Sequence, residues 1–216
     1  AVAALPVVPC PTSYAAGNNP HPFVPNELPA AVPARGLRFY SNGLMTVLGP
    51  AGWACSALVA ADGGELLDVY PPGQPDLSVT VISPGSQVVQ LEVDYTGHGP
   101  GAGLICPLFP DSPAATFESG LPCPTLPPAE STLRLTDDVV AFSDPPGVRG
   151  TGAGSGGPLR SLGDAVYPQV KPAEPPGGVT VAVLSCTLAS NVDPLCMSIQ
   201  ADFLVRQAPV YKGSQG

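Results

Sequence analysis

Six cysteines, Cys10, Cys55, Cys106, Cys123, Cys186 and Cys196, constrain this chain more than any other feature. Their number is even and no C-x-x-C pair occurs. That pattern belongs to structural disulfides rather than to metal or redox chemistry. It places the folded protein in an oxidising compartment outside the cytosol. At 216 residues the chain is long enough to bury a core of its own, so crosslinks add to a fold that is partly self-sufficient.

Charged residues make up only 12% of the chain, about half the usual share of roughly 25%. Such a chain exposes much uncharged surface. Interface cores are depleted in charge in the same way, which raises the expectation of assembly or protein binding. The plainer reading is a Pro-, Gly- and Ala-rich secreted domain from a high-GC genome; Lys171 and Lys212 are the only lysines. The formal net charge is −9 and no Lys/Arg cluster exists. Nucleic acid and anionic membrane surfaces are therefore not expected partners. No apolar run approaches a bilayer span, and the longest, Val179 to Leu184, is strand-sized. The opening Ala1-Val2-Ala3-Ala4 reads as a mature start after removal of an export signal. The expected location is extracellular or cell-surface, with no integral membrane segment.

Residues 1–34 carry Pro6, Pro9, Pro11, Pro20, Pro22, Pro25, Pro29 and Pro33, which forbid a long helix and remove ladder donors. They read as an extended arm pinned by Cys10. Residues 35–208 read as a single compact β-rich domain and 209–216 as a tail. Within the domain, Leu37 to Tyr40 and Leu44 to Leu48 flank Ser41-Asn42-Gly43, and Trp53 to Ala60 and Glu65 to Tyr70 flank Asp62-Gly63-Gly64. Both are hairpin signals. Leu77 to Ile82 and Gln87 to Tyr95 alternate apolar and polar residues around a Pro84-Gly85 turn. Ser112-Pro113 opens a short helix that Gly120 can end. Thr132 to Phe142 reads as a strand, Pro145 to Pro158 as a flexible loop, and Val179 to Leu188 as a buried strand. Asp193-Pro194 caps a helix whose stripe is Leu195, Ile199, Phe203 and Leu204, with Gln200, Asp202 and Arg206 off it. The fold class is mainly β (α+β): an antiparallel sheet or sandwich with a C-terminal amphipathic helix and a short mid-chain helix, stapled by disulfides.

Several blocks recur together in a known order: Trp53-Ala54-Cys55, Cys106-Pro107-Leu108-Phe109-Pro110, Val139 to Val148, Ser155-Gly156-Gly157-Pro158, Ser185-Cys186-Thr187-Leu188 and Leu195-Cys196. Their order resembles a group of exported actinobacterial proteins of unknown function, from about Cys10 to Phe203. The resemblance implies export and no activity. Local closure favours the bridges Cys106–Cys123 and Cys186–Cys196, which leaves Cys10–Cys55 by elimination.

Catalytic signals are weak. Gly154-Ser155-Gly156-Gly157-Pro158 echoes a serine-protease nucleophile loop. The residue before Ser155 is Gly154 rather than Asp, and the only bases, His21 and His98, lack the context of that family. Gly152 to Gly157 also satisfies G-x-G-x-x-G, but Pro158 stops the helix that a dinucleotide site needs. Asp137, Asp138 and Asp144, or Asp62, Glu65 and Asp68, are oxygen donors without calcium-loop spacing. Glu92 and Asp94 share one strand face and form the candidate carboxylate pair for glycoside hydrolysis. No cofactor or metal is expected. The expected function is non-enzymatic: binding to or assembly with protein subunits at the cell envelope or outside it. The alternatives are a secreted hydrolase acting through Ser155 or a carboxylate pair, and a small-ligand carrier.

Overall fold

The computed structural model describes residues 4–15, 27–33, 35–61, 63–74, 82–95, 106–111, 126–167 and 180–213. It is mostly β and holds two sheets and a C-terminal helix. The smaller sheet has four strands: β1 (Ala4–Pro9), β3 (Glu27–Pro29), β4 (Leu37–Ser41) and β5 (Thr46–Pro50), in the order β3-β1-β4-β5. The larger has eight: β2 (Thr12–Tyr14), β6 (Ala54–Val59), β7 (Glu65–Tyr70), β8 (Val88–Tyr95), β9 (Ser131–Thr136), β10 (Val139–Asp144), β11 (Ser161–Val166) and β12 (Thr180–Thr187). Their order is β2-β6-β7-β8-β12-β11-β10-β9. The sheets are mixed rather than purely antiparallel, because β1 pairs parallel with β4 and β2 parallel with β6. Parallel neighbours need a long connection. The chain between Pro9 and Leu37 supplies it for the first pair.

The local hairpin chemistry is visible in the bonds. Asn42 Oδ1 accepts from the N–H groups of Leu44 (3.0 Å) and Met45 (2.7 Å), and Gly43 takes φ 90°. Side chains beyond the turn then alternate. Leu67, Val69, Val89, Leu91, Ala182, Leu184 and Cys186 point to one face of the large sheet. The small sheet and helix α1 (Leu195–Gly213) cover that face with Phe39, Val47, Leu48, Ile199 and Phe203. Full burial of one such aliphatic or aromatic side chain is worth about 1.5–3 kcal/mol, so this shared cluster dominates the core. On the opposite face, Cys106, Leu108 and Phe109 cover Val140, Phe142, Ala165, Val181 and Val183.

The disulfides pin both ends of the sequence to this core. Cys10 is joined to Cys55 and Cys186 to Cys196, with Cα separations of 5.3 and 5.7 Å. Cys106 is also disulfide-bonded, whereas Cys123 lies outside the described residues. Trp53 packs against the cluster that contains Cys10 and Cys55. The arm is further tied by α1: the Ala31 N–H donates to Asp202 Oδ1 at 2.9 Å and Arg206 donates to the Pro29 carbonyl at 2.7 Å.

Three expectations change. The stretch Thr132 to Phe142 is a hairpin, with Asp137 and Asp138 in its turn between β9 and β10. Strand β11 runs through Ser161–Val166, where no strand is expected. Helix α1 continues to Gly213, into the segment read as a tail. Asp202, off the apolar stripe, is nonetheless buried, where it accepts from the Ala31 N–H and pairs with Arg206 at 2.6 Å. The helix expected from Ser112 to Gly120, and Leu77 to Val81 of the expected strand, lie outside the described residues.

Candidate functional site

The loop after β10 is packed rather than flexible. Gly152 donates its N–H to Asp144 Oδ2 at 2.7 Å, while Thr151 gives its N–H (3.2 Å) and hydroxyl (2.7 Å) to Glu130. The glycines are there because nothing larger fits. A Cβ on Gly152 would stand 1.9 Å from Ser161 Oγ, and one on Gly157 would stand 2.3 Å from the Gly85 backbone. Ser155 is buried inside the loop. Its hydroxyl accepts from the Gly150 N–H (3.1 Å) and donates to the Gly150 carbonyl (3.2 Å). Both directions of its hydrogen bonding serve the loop, so Ser155 is placed as a brace. His21 and His98 lie outside the described residues. Ser155→Ala is expected to cost about 1–2 kcal/mol in urea unfolding, because two polar backbone groups lose their partner. An unchanged midpoint would show that the brace carries no energy.

Asp144 closes the same loop. Burial pushes its pKa up to about 6; the Gly152 N–H opposes that shift and the neighbouring Glu130 carboxyl adds to it. Asp144 Oδ1 has no donor.

The carboxylates read as a catalytic pair, Glu92 and Asp94, do lie on one face of β8, and Asp68 of β7 joins them there through the register of Leu66 against Glu92. Gln90 donates to Asp68 Oδ1 at 2.9 Å. Glu92 is pushed up to about 7, by burial first and then by Asp94 and Asp68. The adjoining cavity, which Leu58, Leu66 and Glu65 help to line, holds about 140 Å³. That is well below the range of roughly 300–1,000 Å³ in which small-molecule sites fall. Glu65 and Asp68 project to opposite faces of β7, so they do not act as joint ligands, and Asp62 lies outside the described residues. Among the described residues, no three His, Cys, Asp or Glu side chains converge on a metal-sized centre.

A larger cavity of about 470 Å³ lies between β9–β11 and α1. Leu133, Leu162, Met197, Ala201 and Leu204 give it apolar walls, and Asp164 and Gln200 supply polar groups. Asp164 is only 2% exposed. Burial pushes its pKa up to about 6, against the pull of a hydrogen bond with Gln200. Its Oδ2 has no partner. Beside the cavity runs β9, the outermost strand of the large sheet among the described residues. All six of its residues are exposed, Leu133 at 63% and Leu135 at 46%. The residue pattern places Leu133 and Leu135 in a strand but gives no sign that the strand is an edge. It gives no sign of Asp164 either, since a lone acid between Gly163 and Ala165 looks like ordinary surface.

Three comparisons bear on this arrangement. No family model, no curated protein and no solved structure matches the chain. The functional reading therefore rests on the geometry alone. No helix among the described residues is long and apolar enough to cross a membrane.

Proposed function

We propose that this chain is an exported, non-enzymatic protein that assembles with protein subunits through strand β9. The observation that carries this reading is the outer edge of β9. It is six residues long and wholly exposed, and two leucines flank its only charge, Arg134. An unpaired edge offers a row of N–H and C=O groups to another strand. Proteins that avoid such pairing interrupt the edge with lysine, proline or an inward charge. Neither lysine nor proline occurs between Ser131 and Thr136; the strand has one charge, Arg134, and its register against β10 shifts at Leu135. Arg134 itself is turned over the Phe109 ring, 5.7 Å from its centroid. The low charge of the whole chain and its disulfides agree with a subunit that works outside the cytosol.

Light scattering with negative-stain imaging tests the reading directly. The wild-type protein is expected to form ordered oligomers that persist in high salt, because apolar contacts and backbone bonds hold them. The double substitution Leu133→Lys, Leu135→Lys is expected to leave monomers of unchanged fold. A wild-type monomer at every concentration, or oligomers that salt dissolves, would overturn the proposal.

A further inference from the structure

The cavity beneath α1 lies on the face of the sheet, at right angles to the direction in which β9 bonds to another strand. Leu133 belongs to both, as a residue of β9 and as a wall of the cavity. Strand β11 places Leu162 and Asp164 on the same face, and α1 stands above them with Met197, Ala201 and Leu204. The walls are apolar, and among the described residues lining them no side chain is cationic. Asp164 is one of the residues that line the groove and is 2% exposed. Gln200 satisfies part of its carboxyl, and Oδ2 is left without a donor. Buried polar atoms are nearly always paired, and an orphan that faces a cavity marks a place for water, an ion or a ligand group. A carboxylate at the end of an apolar trough is complementary to a hydrocarbon with a positive head. The volume of about 470 Å³ lies within the range of small-molecule sites.

We propose that this groove is a binding site for a small amphiphilic amine, whose hydrocarbon body lies along Leu133, Leu162, Met197 and Leu204 and whose ammonium group pairs with the Asp164 carboxylate. An alcohol of the same length gains the apolar contact but leaves the carboxylate charge uncompensated. A fatty acid brings a second negative charge to Asp164 and is repelled. Charge-assisted bonds are roughly twice as strong as neutral ones, so the amine is favoured over the alcohol by about tenfold or more.

Octylamine, 1-octanol and octanoate are the probes, titrated into isotopically labelled full-length protein slightly above neutral pH and followed by amide chemical shifts. Octylamine is expected to shift amides in β9, β11 and the first turns of α1, and to bind about tenfold or more tightly than 1-octanol. Octanoate is expected to leave them unmoved. Asp164→Asn keeps the shape of the side chain and removes its charge, so octylamine and octanol should then bind alike. Ala201→Trp fills the groove and should abolish both. Equal binding of amine and alcohol by the wild type would overturn the proposal, as would shifts that cluster elsewhere. Failure of all three probes would overturn it too and leave only water against Asp164.

Discussion

Replacement of both Cys10 and Cys55 by alanine is expected to lower the stability of the fold by about 4 kcal/mol, and replacement of Cys186 and Cys196 by about 3 kcal/mol. The ranking comes from loop length. The first bridge spans 45 residues and the second 10, and a crosslink removes more freedom from the unfolded chain when it closes the longer loop. The first bridge also does more in the folded state. It anchors β1, which lies between β3 and β4 in the small sheet, and β2, which pairs with the strand that carries Cys55. When that anchor is lost, the arm is held by its ladder bonds, by the packing of Val7 and Ala30 in the core, and by Asp202 and Arg206. A domain holds only about 5–15 kcal/mol in total, so the loss is a large share of it. Guanidinium unfolding of the two double variants measures the ranking. Limited proteolysis should cut the Cys10→Ala, Cys55→Ala protein within β1 or β2 faster than it cuts the wild type. A larger loss from the Cys186–Cys196 pair, or a loss below about 1 kcal/mol from both, would show that loop closure is not what the bridges contribute.

The contacts that the sequence made legible are the local ones. Asn42-Gly43 and Gly63-Gly64 carry their turn geometry in their own residue types, and Val89 and Leu91 carry the period of a half-buried strand. Leu195, Ile199 and Phe203 likewise mark the face that α1 turns to the core. The hidden features depend on partners far along the chain. Strand β11 has few strand-forming residues. Its Gly163 is there because the Phe142 ring lies across it, where a Cβ would stand 2.1 Å from a ring carbon. The turn at Asp137-Asp138 has no glycine to announce it, so two strands read as one. The parallel pairing of β1 with β4 is set by topology, which no run of residues displays. The site was least legible of all. Leu133 is an ordinary strand residue until it lies on an edge, and Asp164 is an ordinary acid until α1 covers it.

Burial of those acids gives the protein an unusual dependence on pH: the fold is expected to be more stable near pH 4–5 than near pH 8. Asp144 and Asp164 are pushed up to about 6 and Glu92 to about 7, and burial is the leading cause in each case. An unfolded chain exposes the same groups, which then titrate near 4. Between pH 4 and 7 the folded state therefore holds protons that the unfolded state has released. Stability is full below the unfolded value and falls as pH rises through the folded one. A shift of about two units corresponds to about 3 kcal/mol for one fully buried group, and partial solvation reduces the sum. A net loss of roughly 3 kcal/mol from pH 5 to pH 8 would lower Tm by roughly 6–12 °C in a chain of this size. The excess of 17 acidic over 8 basic residues pushes in the same direction, since ionised carboxylates repel one another most in the compact state. Asp164→Asn holds one group neutral at every pH and should flatten the profile by its share while the low-pH value stays nearly unchanged. A Tm that rises from pH 5 to pH 8 in the wild type would mean that these carboxylates are ionised and paired in the fold. That result would remove both the argument from burial and the view of Asp164 as a carboxyl waiting for a donor.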